Sequence, residues 1–181
     1  MSTVVIYESK YGTTRRYAQW IAQALNCDLY ERKAFDPARL EAYDCVIYGG
    51  ALYAGGVSGA KMLADHQQAL LGRRLALFTC GLADPRDEQN VQSIRASMQK
   101  SLPAPLLDHA RIFHLRGGID YAKLGLMHRG MMAMLHRMVK KKDASELQGE
   151  QREMLATYGQ QVDFTDQQSI QPILDYARQE S

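Results

Sequence analysis

Thr3-Val4-Val5-Ile6-Tyr7-Glu8, followed at once by Ser9-Lys10-Tyr11-Gly12-Thr13-Thr14, decides the fold. The first six residues are a short β-branched run that suits a strand buried on both faces of a parallel sheet. The next six are polar and carry one glycine, as a tight strand-to-helix turn requires. Beyond them Tyr17, Ile21 and Leu25 recur every four residues with Ala18 and Ala24 beside them, which is one face of a helix.

Outward from this unit the alternation continues. Cys27 to Arg32 is a second strand candidate, and Asp44-Cys45-Val46-Ile47-Tyr48-Gly49-Gly50 a third. Ser58 offers a cap for a helix with Met62, Leu63, His66 and Leu70 on its apolar side, stopped by Gly72. Arg74 to Cys80 reads as a fourth strand. Asp84-Pro85 supplies an N-cap and a first-position proline for a helix through Val91, Ile94, Met98 and Leu102. Arg111 to Leu115 is a fifth strand. Ile170, Ile173, Leu174 and Ala177 mark a closing helix, with Pro172 tolerable only in its first turn. Strand and helix in repeated succession imply an α/β fold: a mostly parallel, doubly wound sheet with helices on both faces. No internal repeat or dividing linker is visible, so residues 1–181 are expected to form one domain. Ligands of such sheets bind outside the carboxyl ends of the strands, where the strand order reverses.

Three segments fall there. Ser9-Lys10-Tyr11-Gly12-Thr13-Thr14 gathers hydroxyls and backbone N–H groups at a helix N-terminus, which carries about half a positive charge and suits a phosphate. A plain turn with a threonine N-cap has the same appearance, so both readings stand on these six residues alone. No G-x-x-x-x-G-K-[ST] and no G-x-G-x-x-G follows the first strand, which sets aside nucleoside triphosphate and dinucleotide loops. The third strand ends in Gly50-Ala51-Leu52-Tyr53-Ala54-Gly55-Gly56, where glycines admit a close backbone approach and Tyr53 can cover a flat ring. The fourth ends in Thr79-Cys80-Gly81-Leu82-Ala83, with Cys80 read as a small buried residue rather than a redox group. Trp20, inside the first helix, reads as core or groove packing.

The pattern Ser9-x-Tyr11-Gly12-x-Thr14 after a first strand resembles the FMN phosphate loop of flavodoxins. That resemblance implies a flavodoxin-like five-stranded parallel sheet in order 2-1-3-4-5, and that Ser9, Lys10, Tyr11, Gly12, Thr13 and Thr14 cradle the FMN phosphate. By the same resemblance Ala51, Leu52, Tyr53, Ala54 and Gly55 form the second FMN loop, and Thr79, Cys80, Gly81 and Leu82 the third. The order of fifth strand, apolar-basic insert at about 120–160 and late closing helix is similar to flavodoxin-domain proteins related to the menaquinone-dependent protoporphyrinogen oxidase of bacteria. The second loop of those oxidases usually has an arginine before its tyrosine, where this chain has Leu52. The implied activity is electron transfer by an FMN-dependent oxidoreductase acting on a quinone or a porphyrinogen, with no catalytic side chain assigned. An electron carrier between protein partners and a non-redox interaction protein on the same fold remain alternatives. Carriers of this type are usually acidic around the flavin, for docking on basic partners.

The insert is distinctive in itself. Leu124, Met127, Met131, Leu135 and Met138 keep helical spacing, five of the nine methionines fall between residues 124 and 139, and Lys140-Lys141-Lys142 follows. A cover for the sheet, a methionine surface for a flat substrate or a partner, and a peripheral membrane contact through residues 124–142 are the three readings. A further helix is expected over Ser145 to Gln160, and homodimerisation is an open possibility. The charges constrain partners more firmly: 22 basic against 20 acidic residues, net +2, make no case for nucleic acid. Three scattered cysteines (Cys27, Cys45 and Cys80) without a CxxC pair argue against a metal site and suit a reducing cytoplasm. No signal peptide is visible and nowhere do 18 apolar residues run together, so a cytoplasmic protein is expected, free or against the inner face of the membrane.

Overall fold

A computed structural model of the chain describes residues 2–53, 56–143, 146–147 and 149–179. The strands are β1 (Thr3–Glu8), β2 (Asp28–Glu31), β3 (Cys45–Tyr53), β4 (Gly56–Val57), β5 (Arg74–Gly81), β6 (Arg111–Arg116), β7 (Gly118–Asp120) and β8 (Gln161–Asp163). The helices are α1 (Thr13–Leu25), α2 (Ala60–Asp65), α3 (Gln67–Leu71), α4 (Glu88–Ser101), α5 (Ala104–His109), α6 (Leu126–Val139), α7 (Gly149–Thr157) and α8 (Gln171–Arg178). The main sheet runs β2-β1-β3-β5-β6, all parallel, with β4 folded back on the end of β3. Once β4 is set apart, this is the order 2-1-3-4-5 expected from the flavodoxin resemblance.

Burial on both faces explains why the strands are apolar without a break. Val4, Ile6, Val46, Tyr48, Leu75 and Leu77 point to one face and pack with Leu63, Leu70, Ile94, Met98 and Leu106. Val5, Tyr7, Ile47, Ala76 and Phe78 point to the other, under Tyr17, Ile21, Ile173 and Leu174 of α1 and α8. The period-2 alternation thus sorts side chains between two cores rather than between core and water.

Several boundaries differ from the sequence expectation. β3 continues through Ala51, Leu52 and Tyr53 instead of opening into a loop, because Leu52 and Tyr53 pair with Val57 and Gly56 of β4. Ser58 does not cap α2; Gly59, at φ 79°, precedes that helix. The single helix expected from Met62 to Leu70 is broken at His66, which leaves helical geometry at φ −114°, ψ 26° while its Nδ1 lies 2.9 Å from the Met62 carbonyl oxygen. Asp84-Pro85 does not start α4. Asp87 caps it, accepting from the Gln89 N–H at 2.9 Å, while Asp84 accepts from Arg86 in a turn just upstream. Pro172 does sit in the first turn of α8.

After β6 the chain leaves the sheet and returns beside its point of departure. β7 and β8 pair antiparallel, Gly118 with Asp163 and Asp120 with Gln161, so that a two-stranded ribbon brackets α6 and α7. α7 occupies the stretch expected to be helical, with Ser145 outside the described residues. Arg116 anchors the return. Its guanidinium lies 3.1 Å from Glu153 of α7 and 3.8 Å from the Phe164 ring centroid, and its Nε donates to the Leu82 carbonyl. The excursion closes on itself where His136 stacks on Tyr158 at 4.0 Å and Tyr121 meets Tyr158 edge-on at 5.2 Å. Among the described residues no helix is long and apolar enough to cross a membrane.

Candidate cofactor site

The sheet register lines up the three candidate segments. Glu8 pairs with Gly50, Ala51 with Cys80, and Gly81 with Arg116, so the carboxyl ends of β1, β3, β5 and β6 form one edge. Strand order reverses between β1 and β3 on this edge. A single side chain stitches the reversal: Ser58 Oγ accepts from the Ala51 N–H at 2.8 Å and donates to the Glu8 carbonyl at 3.3 Å. These contacts explain why Ser58 is unavailable as a helix cap.

The loop from Ser9 to Gly12 leads into α1. Ser9 Oγ accepts from the Gly12 N–H at 3.1 Å, tightening the turn, and Gly12 adopts φ 92°, a conformation that favours glycine. No side chain caps the first turn of α1 and no acidic residue lies in it; Thr13, Thr14, Arg15 and Arg16 stand there instead. Cations at the positive end of a helix have the unfavourable sign. Arg16 is answered by Asp163 at 2.6 Å and by Thr165 at 2.8 Å. Thr14 is 1% exposed, and its hydroxyl is buried with no hydrogen-bond partner among the described residues. A buried hydroxyl left so costs about 1–3 kcal/mol. A helix start without a side-chain cap, a basic first turn and an orphaned hydroxyl together fit an esterified phosphate.

The third segment packs directly against this loop. Cys80 Sγ donates to Thr13 Oγ1 at 3.5 Å, and Gly117 touches both. A Cβ on Gly117 would lie 2.8 Å from that sulfur and 3.3 Å from that oxygen, so only glycine lets β6 close the edge here. Cys80 is 4% exposed, and burial pushes its thiol up to about 11, which suits the inert role expected of it. Thr79 is buried and shares a 2.7 Å hydrogen bond with His114 Nδ1 of β6. Among the described residues His114 Nε2 is buried without a partner, and burial, helped by Arg95, lowers its pKa to about 4. Leu52 and Leu82 are half-buried at the rim, and Leu52 covers Gly81.

Of the predicted residues, Ser9 to Thr14, Ala51, Leu52 and Thr79 to Leu82 converge on one edge. Tyr53 joins it as backbone of β3; its ring, with Ala54 and Gly55, lies outside the described residues. Sequence reading missed Ser58, Gly117 and His128. Their contacts span 50, 36 and 118 positions and leave no local mark. His128, in the first turn of α6, hydrogen-bonds Lys10 through Nε2 and meets Tyr11 edge-on at 6.1 Å. Trp20 lies away from this edge. It meets Tyr17 edge-on and lines a shallow groove of about 590 Å³ with Gln23, Cys27 and Leu29.

A doubly wound sheet with an anion-ready turn at its switch point defines a class of ligand-binding α/β domain. Within that class the model of the flavodoxin domain family matches residues 4–146, and the chain belongs to that family. Flavodoxin 2 from Bacillus cereus is 22% identical over 64% of this chain and 84% of its own, with a TM-score of 0.47. A WrbA-like flavodoxin from Agrobacterium tumefaciens is 24% identical over 62% and 82%, at 0.40. A flavoprotein in complex with FMN from Lactobacillus acidophilus is 15% identical over 64% and 91%, at 0.41. No curated protein matches the chain.

Proposed function

We propose that the chain binds FMN, with the phosphate on Ser9 to Thr14 and the ring against the ends of β3 and β5, and works as an oxidoreductase. The observation that carries this reading is the buried, partnerless Thr14 hydroxyl at the uncapped start of α1. Membership of the flavodoxin family supports it. Bound there, FMN supplies the electron-transfer chemistry. The chain's own residues bind and orient. The α1 amide hydrogens and Thr14 receive the phosphate, Ser58 fixes the spacing of β1 and β3, and Leu52 and Leu82 present apolar surface at the rim. Thr79 and His114 bury a neutral hydrogen-bonded pair behind the β5 end, which keeps that edge rigid.

The redox partner we propose is a quinone, as electron acceptor, or a porphyrinogen, as electron donor, met beside α6 at the inner face of a membrane. The resemblance to the protoporphyrinogen oxidase relatives supports this, as does the surface of α6. Leu126, Met127, Met134 and Met138 are exposed, and residues 121–142 carry six basic and no acidic side chains. That sign is wrong for an acidic carrier that docks on basic partners.

The test is a flavin titration of the purified protein, followed by absorption in the blue and by flavin fluorescence. Wild type saturates with FMN, and Thr14→Val binds it roughly 10-fold more weakly, the order expected for one hydrogen bond to a charged group. Unchanged affinity in that variant would contradict the loop assignment. Turnover of quinones or porphyrinogens by the loaded protein distinguishes the oxidoreductase from a carrier.

A further inference from the structure

The phosphate loop has a neighbour that its own α/β unit does not supply. Lys10 and Tyr11 stand at its exposed outer side, and nothing lies within 4 Å of where a Gly12 Cβ would be. α6 reaches this side from 118 positions away. The Lys10 ammonium hydrogen-bonds His128 Nε2, and the Tyr11 ring meets the His128 ring at 89°. An ammonium has only hydrogens to offer, so Nε2 must be the unprotonated nitrogen and the ring neutral in this contact. His128 therefore adds no charge of its own. What it does is hold one cation in place.

We propose that His128 is a positioning residue for the cofactor's phosphate, acting through Lys10. This rests on the reading of Ser9 to Thr14 as a phosphate site. A lysine stem of four carbons has high rotamer entropy, and a partner on another element restricts it. His128 ties down the ammonium of Lys10, a residue two positions before Gly12 and the start of α1, whose first turn also carries Arg15. A cation held at this turn adds to the attraction of a helix start for a dianion. The ordering cost of Lys10 is then met before the ligand arrives, which is preorganisation. The consequence is a link between the excursion and the cofactor: whatever moves α6 changes how firmly the phosphate is held.

Riboflavin, which has the ring but no phosphate, separates this role from a general structural one. The flavin-free full chain is titrated with FMN and with riboflavin, both followed by flavin fluorescence. His128→Ala is expected to weaken FMN roughly 3- to 10-fold, the range for losing one pre-ordered side chain, and to leave riboflavin unchanged. His128→Gln, whose amide oxygen can accept from Lys10, restores most of the FMN affinity. Lys10→Met weakens FMN alone, and adding His128→Ala to it has no further effect. An FMN-to-riboflavin ratio that is unchanged in His128→Ala overturns the inference, as does equal loss of both ligands. Thr14→Val separates the two levels of reading. If it lowers the ratio while His128→Ala does not, only the role of His128 fails; if neither lowers it, the phosphate loop itself is misassigned.

Discussion

α1 and α6 have nearly the same length, 13 and 14 residues, and both carry apolar side chains at helical spacing. They come to opposite ends. α1 buries Thr14, Tyr17, Ala18, Ile21 and Ala22 against the sheet. α6 buries only Val139, and Leu126 and Met127 are 87% and 79% exposed. The difference lies in what each helix has to lean on. α1 follows β1 after a short turn, so the sheet is always within reach of its apolar side. α6 hangs on a ribbon of two three-residue strands and leans chiefly on α7, itself a short helix tethered through Arg116 and Glu153. Amphipathic spacing states that a helix has an apolar side; it does not state what will cover it.

The widest gap between the two helices should appear in stability. Ile21 is fully buried under the sheet, and Ile21→Ala should lower unfolding free energy by about 2–5 kcal/mol, from lost transfer energy and the cavity left behind. Met134, on α6, is 57% exposed, and Met134→Ala should stay within about 0.5 kcal/mol. Urea unfolding of both variants checks the pair. A large loss in the α6 variant would mean that its methionines are covered in solution, and the contrast would vanish.

Acid should strike the sheet region through His114. Its buried ring has a pKa lowered to about 4, against about 6.5 for an unfolded histidine. Between those values the unfolded chain binds the proton and the folded one does not, so stability rises with pH across that window. The contribution is fully present above about pH 6.5 and is lost as pH falls through 4. By the size of the shift it amounts to about 3 kcal/mol. Wild type compared with His114→Gln by urea unfolding at pH 7 and near pH 4.5 isolates this group. The variant should lose less stability on acidification, and equal losses would remove His114 from the account.

The same contrast sorts what the sequence could reveal. β1, its loop and α1 were legible because each element is next to the one it packs on, and a β-branched run before a four-residue period has few other meanings. Alternation of strand and helix implied a doubly wound sheet, and the strand order came only with the resemblance to flavodoxins. Ser58 misled because a serine ahead of an apolar period is a good cap, and nothing local says that Ala51 and Glu8 claim its hydroxyl. β3 ran past its glycines because β4, two residues long, pairs with it, a strand too short to leave a pattern. Of the candidate site, the turn from Ser9 to Thr14 was readable as a string. Gly117 and His128 were not, since each matters only after β6 and the excursion have been folded back across the edge.

The smallest expected effect is also the one that decides what α6 is for. If its apolar side rests on an anionic bilayer, Lys140, Lys141 and Lys142 at its end should each add about 1 kcal/mol of binding, so that Lys141→Gln alone lowers affinity roughly 5-fold. The measurement is co-sedimentation of the full chain with vesicles of phosphatidylcholine containing phosphatidylglycerol. Three features would mark the contact as the one described: loss of binding when the vesicles are purely zwitterionic, weakening as added salt shortens the Debye length, and weakening again in Met127→Gln. Salt acts on the lysines and not on the methionines, so a double dependence on charge and on apolar area is the signature of a helix lying in the interface. Binding that ignores lipid charge would discard the bilayer as the cover. A dimer in solution that protects Met127 and Met138 would assign the exposed side of α6 to a second copy of the chain.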